Sequence, residues 1–143
     1  MSTHTGRETT GLSLNRVVAG GFGAVYLLVG LAGFLVTGDV PFAGEQGASL
    51  LGFGVNGLHN IVHLLVAAVL LGGAASGTAA ARGANLGVGV FYVAAGVLGP
   101  FIQGTALDVL GLNGPDHLLH LGSAALLLAV ALLADRGRRR ATR

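Results

Sequence analysis

Four stretches of this chain are apolar for about 20 residues each, enough for a helix rising 1.5 Å per residue to cross a hydrocarbon core of about 30 Å. They run from about Val17 to Thr37, Leu50 to Ala75, Leu86 to Thr105 and Pro115 to Ala134. Backbone groups in lipid must pair within their own segment, and four such spans do not fit a barrel, so each reads as a helix. Pro115 with Asp116 beside it makes a favourable start for the last one. Composition agrees: 52% of the residues are hydrophobic and 10% charged, whereas a soluble domain carries about 25% charged residues. Disorder is excluded by the same figures. With no cysteine, a disulfide scaffold and a thiolate metal site are excluded as well. The expected fold is all-α, a four-helix transmembrane bundle in the cell membrane, with the lipid bilayer as its partner.

Charge placement predicts the topology. Arg7 and Arg16 precede the first span, Arg82 separates the second and third, and Arg136, Arg138, Arg139, Arg140 and Arg143 follow the fourth. Asp39 and Glu45 lie between the first two spans; Asp108 and Asp116 lie between the last two. The positive-inside bias then puts both termini in the cytoplasm. The first span is longer than the apolar core of a signal peptide and no A-x-A site follows it, so it reads as a retained helix. Residues 1–14 form a polar N-terminal tail, 15–135 the transmembrane domain, and 136–143 a basic tail suited to anionic headgroups. With a net charge of +2 and no interleaved aromatics in that tail, nucleic acid is not an expected partner.

The chain reads as two tandem helical hairpins, about 17–75 and 86–134. Gly23, Tyr26, Gly30 and Gly33 in the first span match Gly89, Tyr92, Gly96 and Gly99 in the third, 66 positions on. Asn56, His59, Asn60 and His63 match Asn113, Asp116, His117 and His120, 57 positions on. Such parallel repeats are related by an axis along the membrane normal. The glycine stripes allow close helix packing, and Tyr26 and Tyr92 share their faces, so both hydroxyls are expected inside the bundle.

The matched polar residues are the main functional signal. They stand at i, i+3, i+4 and i+7, which places each set on one helical face. Ionisable groups within a span normally face the bundle interior, here near its outer end. His59, His63, Asp116 and His120 make a candidate ligand set for a divalent metal such as zinc. His63 and His120, one from each half, are alternative axial ligands for a haem iron. Asn56, Asn60, Asn113, His117, Tyr26 and Tyr92 are supporting polar residues, of which the asparagines would orient the imidazoles.

The run from Pro41 through His59, Asn60 and His63, and the later Asn113-Gly-Pro-Asp116-His117-Leu-Leu-His120, resemble a bacterial family of small four-span membrane proteins known only as a domain of unknown function. The resemblance covers about residues 15 to 135. It implies the four-helix architecture and no activity. His117 stands where that family's motif usually has asparagine, which weakens a ligand role for it.

The first functional reading is a structural or accessory bundle, with the polar stripe as interhelical glue and a membrane protein or a second copy as partner. The alternative is a metal- or haem-binding membrane protein. A proton or small-solute path ranks below both, because Leu64 to Leu71 and Leu121 to Leu133 are almost entirely apolar. An enzyme has the least support: Ser123 lies near His120 on one helix, but no nucleophile–base constellation or oxyanion site accompanies it.

Overall fold

A computed structural model describes residues 13–135. The two tails, with His4 and the five C-terminal arginines, lie outside the described residues, and so does the expected headgroup contact of the basic tail. Four helices follow one another: α1 (Leu14–Gly33), α2 (Gly57–Ser76), α3 (Thr78–Ile102) and α4 (Gly114–Leu133). All four are long and apolar enough to cross a membrane.

Their starts are written locally. Ser13 caps α1, its Oγ accepting from the Arg16 N–H at 3.3 Å. Asn56 and Asn113 cap α2 and α4 through their side-chain oxygens. Each cap satisfies an amide that a helix start leaves without a partner. α2 passes to α3 through Gly77 alone, whose φ of 114° belongs to a backbone region that glycine adopts without strain.

Two boundaries differ from the sequence expectation. The apolar pattern starts the second span at Leu50, yet α2 begins at Gly57. Residues Ala48–Leu50 and Phe53–Val55 instead pair as antiparallel strands β1 and β2. Leu51 and Gly52 join them with φ of 55° and 93°, the left-handed pair that a tight two-residue hairpin turn needs. Gly52 and Gly54 disfavour helix there, and Asn56 supplies the cap that starts it six residues later. The third helix starts at Thr78, ahead of the expected Leu86. The alanine-rich approach to Arg82 propagates helix well, and the Arg82 Nε–H donates to Ala131 O at 2.6 Å.

Packing is closest between α1 and α2 and between α3 and α4, and much thinner between α1 and α4 than between α2 and α3. Glycines set the two close pairs. A methyl group on Gly23 or Gly30 would stand 2.8 or 2.9 Å from Leu71 or Leu64. One on Gly89 or Gly96 would stand 2.8 or 2.6 Å from Leu128 or Leu121. Small residues here let the leucines seat directly on the opposite backbone.

The middle of the bundle is apolar, built on Ala19, Ala67, Leu70, Val88, Ala124 and Leu127. Polar residues gather at its two ends. At one end the first and last described segments meet: the Asn15 N–H and Nδ2 donate to Asp135 Oδ2 at 3.1 and 2.9 Å. Asn85 Nδ2 donates to Asn15 at 3.1 Å. The Arg16 Nε–H donates to Ala74 O at 2.8 Å, so Arg16 and Arg82 each satisfy a carbonyl in the last turn of a neighbouring helix. The opposite end carries β1, β2 and the histidines.

Candidate functional site

The sequence presents the polar stripe as one feature. The folded chain divides it into groups that hold the fold and groups that converge on a site.

The asparagines hold the fold. Asn56 Oδ1 accepts from the His59 N–H at 2.9 Å, and its Nδ2 donates to Gly44 O and Val109 O at 3.0 Å each. One side chain thereby ties the two long loops to the start of α2. Asn113 does the corresponding work on α4, accepting from the Asp116 N–H at 3.2 Å and donating to Gly52 O at 3.0 Å. Asp116 completes a capping box with Asn113, its Oδ2 accepting from the N–H groups of Asn113 and Gly54 at 2.9 Å each. Asn60 and His117 turn away from the bundle axis toward the glycine stripes. Asn60 lies against Gly33 and His117 against Gly99. Asn60 Nδ2 donates to Thr37 Oγ1 at 3.2 Å, and His117 Nε2 bonds Gln103 Oε1 at 2.9 Å. Thr37 and Gln103 are partners that the periodicity alone did not single out, because each lies just beyond the end of its helix.

Three imidazoles converge instead. One ligand atom from each of His59, His63 and His120 lies within 4.8 Å of the other two. All three side chains are buried. His59 and His63, one helical turn apart, have ring centroids 4.3 Å apart, and His59 and His120 are 6.0 Å apart. His63 and His120 sit about 9 Å along their helices from the first residue, by the 1.5 Å rise. Asp116, grouped with them by spacing, stands beside the cluster with Oδ2 taken up by backbone amides.

The surroundings orient this cluster. His59 Nδ1 lies 2.9 Å from Gly54 O. A carbonyl only accepts, so Nδ1 carries the proton, and in the neutral ring Nε2 keeps its lone pair. That is the arrangement a metal-ligating histidine normally has. His63 Nδ1 and His120 Nδ1 are buried without a hydrogen-bond partner among the described residues. Buried polar atoms are almost always paired, so these two nitrogens keep unused hydrogen-bonding capacity, as do Asn60 Oδ1, Asn85 Oδ1, the Tyr92 hydroxyl, Asp108 Oδ2 and His117 Nδ1.

The tyrosines frame the cluster in matching ways. Tyr26 lies against His63 with ring centroids 5.3 Å apart, and Tyr92 stacks on His120 at 4.9 Å. The two tyrosine rings meet at 5.3 Å. Tyr26 donates to Ser123 Oγ at 3.1 Å. On the other hairpin Val66 stands at the position that matches Ser123, and the Tyr92 hydroxyl makes no hydrogen bond of standard geometry among the described residues.

No curated protein and no solved structure matches this chain. A family model described as a domain of unknown function (DUF4383) matches residues 16–133, which takes in all four helices and both polar motifs. The chain, with its four apolar helices, belongs to the DUF4383 family, a domain of unknown function.

Proposed function

We propose that this membrane protein holds a divalent transition-metal ion through His59, His63 and His120. The observation that carries the reading is the convergence of three buried imidazoles with ligand atoms within 4.8 Å of one another. Tetrahedral zinc at about 2.05 Å from each nitrogen needs ligands about 3.3 Å apart, a contraction that small rotations of the rings supply. Three neutral imidazoles leave the fourth position open, as in zinc sites that bind or activate a further molecule. Asp116 acts here as a positioning group: through Gly54 it fixes the strand whose carbonyl orients His59.

Haem is less well supported. The His59 ring lies 4.3 Å from His63 and 6.0 Å from His120, in the space that a macrocycle between those two ligands would need. The structural reading retains part of the stripe. Tyr26–Ser123, Asn60–Thr37 and His117–Gln103 are all hydrogen bonds that join separate segments. The proposed division gives these groups to stability and the triad to binding.

Two further parts of the reading rest on sequence and packing together. The pairing of Gly30 with Leu64 and of Gly96 with Leu121, at matching repeat positions, supports two tandem hairpins. The arginine distribution supports termini in the cytoplasm, with the triad near the outer face.

The test is metal content. The full chain in mild detergent, equilibrated with Zn²⁺ or Co²⁺ and desalted, is expected to retain about one ion per chain. His63→Ala and His120→Ala should each lower affinity by at least tenfold. Retention well below one equivalent in the folded protein, unaltered by these substitutions, overturns the proposal.

A further inference from the structure

His63 and His120 also face a cavity of about 590 Å³ between α1 and α4. Its walls are apolar, including Val17, Phe22 and Val25 of α1 and Leu119 of α4, and its end is roofed by Leu50 and Phe53 of the hairpin. Polar groups occur only on its floor: Tyr26, His63, His120, Ser123 and one face of Asp116. Val17, Val25 and Leu119 are themselves exposed on the outer surface of the bundle. On a membrane-spanning helix that surface meets lipid, so the cavity is reached from the side, within the bilayer.

The other hairpin interface provides an internal comparison. A groove of about 410 Å³ lies between α2 and α3, and its lining falls at repeat-matched positions. Gly87 stands for Gly21, Phe91 for Val25, Val62 for Leu119 and Val66 for Ser123. This second groove is apolar throughout and reaches no histidine. The two interfaces therefore differ where a head-group would be recognised. α1 and α4 are also the less closely packed pair, which opens the larger space on the polar-floored side.

We infer that the α1/α4 cavity takes a neutral, membrane-dissolved molecule with an apolar body and a carbonyl or hydroxyl head, its oxygen directed to the histidine triad. The volume lies within the range of small-ligand pockets, which are largely apolar with a few placed polar groups. No arginine lines the cavity and a carboxylate does, which favours a neutral head over an anionic one. The buried Nδ1 atoms of His63 and His120, without partners among the described residues, give the floor unused hydrogen-bonding capacity. The inference rests on the triad as the site of the proposed function; the head oxygen would either complete the coordination of the ion or bond the imidazoles directly.

The chain carries two tyrosines and no tryptophan, and both tyrosines touch the triad, so intrinsic emission reports from this site. The experiment titrates the full chain, reconstituted in phosphatidylcholine vesicles that contain no other protein, with a decyl-tailed benzoquinone, with and without Zn²⁺, and follows tyrosine emission. Saturable quenching is expected in the wild type. A side chain at Gly21 enters open space, so Gly21→Leu fills the cavity and should weaken binding at least tenfold. Val25→Phe, which copies the residue of the closed groove, should do the same. Gly87→Leu, equally unobstructed, should leave binding within twofold. Competition by dioctanoylglycerol extends the site to hydroxyl-bearing neutral lipids; saturable quenching without competition restricts it to quinone-type carbonyls.

Quenching that never saturates, or that is equal in wild type, Gly21→Leu and Val25→Phe, overturns the inference. If the wild type retains zinc but shows no saturable quenching, the cavity reading fails and the metal reading stands. Saturable, cavity-dependent quenching in a chain that retains no zinc removes the metal reading and leaves the cavity reading in place, with the head bonded directly to the imidazoles.

Discussion

His59 and Asp116 hold the two sides of one residue: the His59 imidazole donates to the carbonyl of Gly54, while the Asp116 carboxylate accepts from its N–H, each at 2.9 Å. These residues stand at matching places in the sequence, 57 positions apart, yet they have different work. One lends its ring to the histidine cluster, and the other anchors the strand that orients that ring. The short hairpin thus links the start of α2 to the start of α4, and the site depends on a loop that crosses between the two halves.

Gly54→Ala tests this link. A methyl group there would run into Gly111 O and approach Asp116 Oδ2 to 3.3 Å. Displacing β2 breaks both bonds to Gly54, a cost of about 2–3 kcal/mol in total. Thermal unfolding in detergent should register that loss, together with weaker Co²⁺ binding. Unchanged binding would show that the triad assembles without the strand.

His117→Asn should leave metal binding untouched. His117 bonds Gln103 and lies against Gly99 of α3, outside the group of converging ligand atoms, and asparagine already fills the matching position at Asn60. Metal stoichiometry after equilibration with Co²⁺ is the measurement. His59→Ala in the same assay should reduce affinity at least tenfold, so the two histidines separate structure from binding.

The Tyr26–Ser123 bond joins α1 to α4 across a thinly packed interface. Interhelical hydrogen bonds of this kind are worth about 0.6 kcal/mol in membranes, and rarely above about 1.7. Tyr26→Phe and Ser123→Ala should each lower stability by about that amount, and the double variant should cost no more than either alone. An additive double variant would mean that the hydroxyls act independently.

Glycine substitutions should divide by face. Gly33→Ala and Gly99→Ala drive a methyl into Asn60 and His117, and such overpacking costs about 1–3 kcal/mol. Gly83→Ala and Gly87→Ala meet nothing within 4 Å and should be neutral or stabilising by up to about 1 kcal/mol, since alanine is the better helix former. A thermal-shift series across these four positions checks the contrast.

Architecture was readable from the linear pattern because it follows from solvation. A bilayer permits few backbone arrangements, so four long apolar runs lead directly to four helices. The asparagine caps were readable as polar positions, but their periodicity made them resemble supporting groups of a ligand set. Asn56 and Asn113 share a face with the histidines because a cap lies one turn before the residues that follow it. Periodicity ranks faces and carries no information about which hydrogen bonds a side chain has already made.

Residues 50–55 show where apolar character misleads. They are as hydrophobic as a span, and only the two left-handed turn residues and the pairing of Ser49 with Gly54 make them a hairpin. His59 depends on that hairpin for its orientation. The grouping of His59, His63 and His120 without Asp116 also needed the folded chain. Asp116 has the right chemistry and spacing for a ligand, and the nearby amides of Gly54 and Asn113 engage its Oδ2. Composition and hydropathy suffice for a class and for the number of long apolar helices because both arise from bulk solvation. The membership of a three-nitrogen cluster turns on ångström-scale competition among side chains and amides that are far apart in sequence.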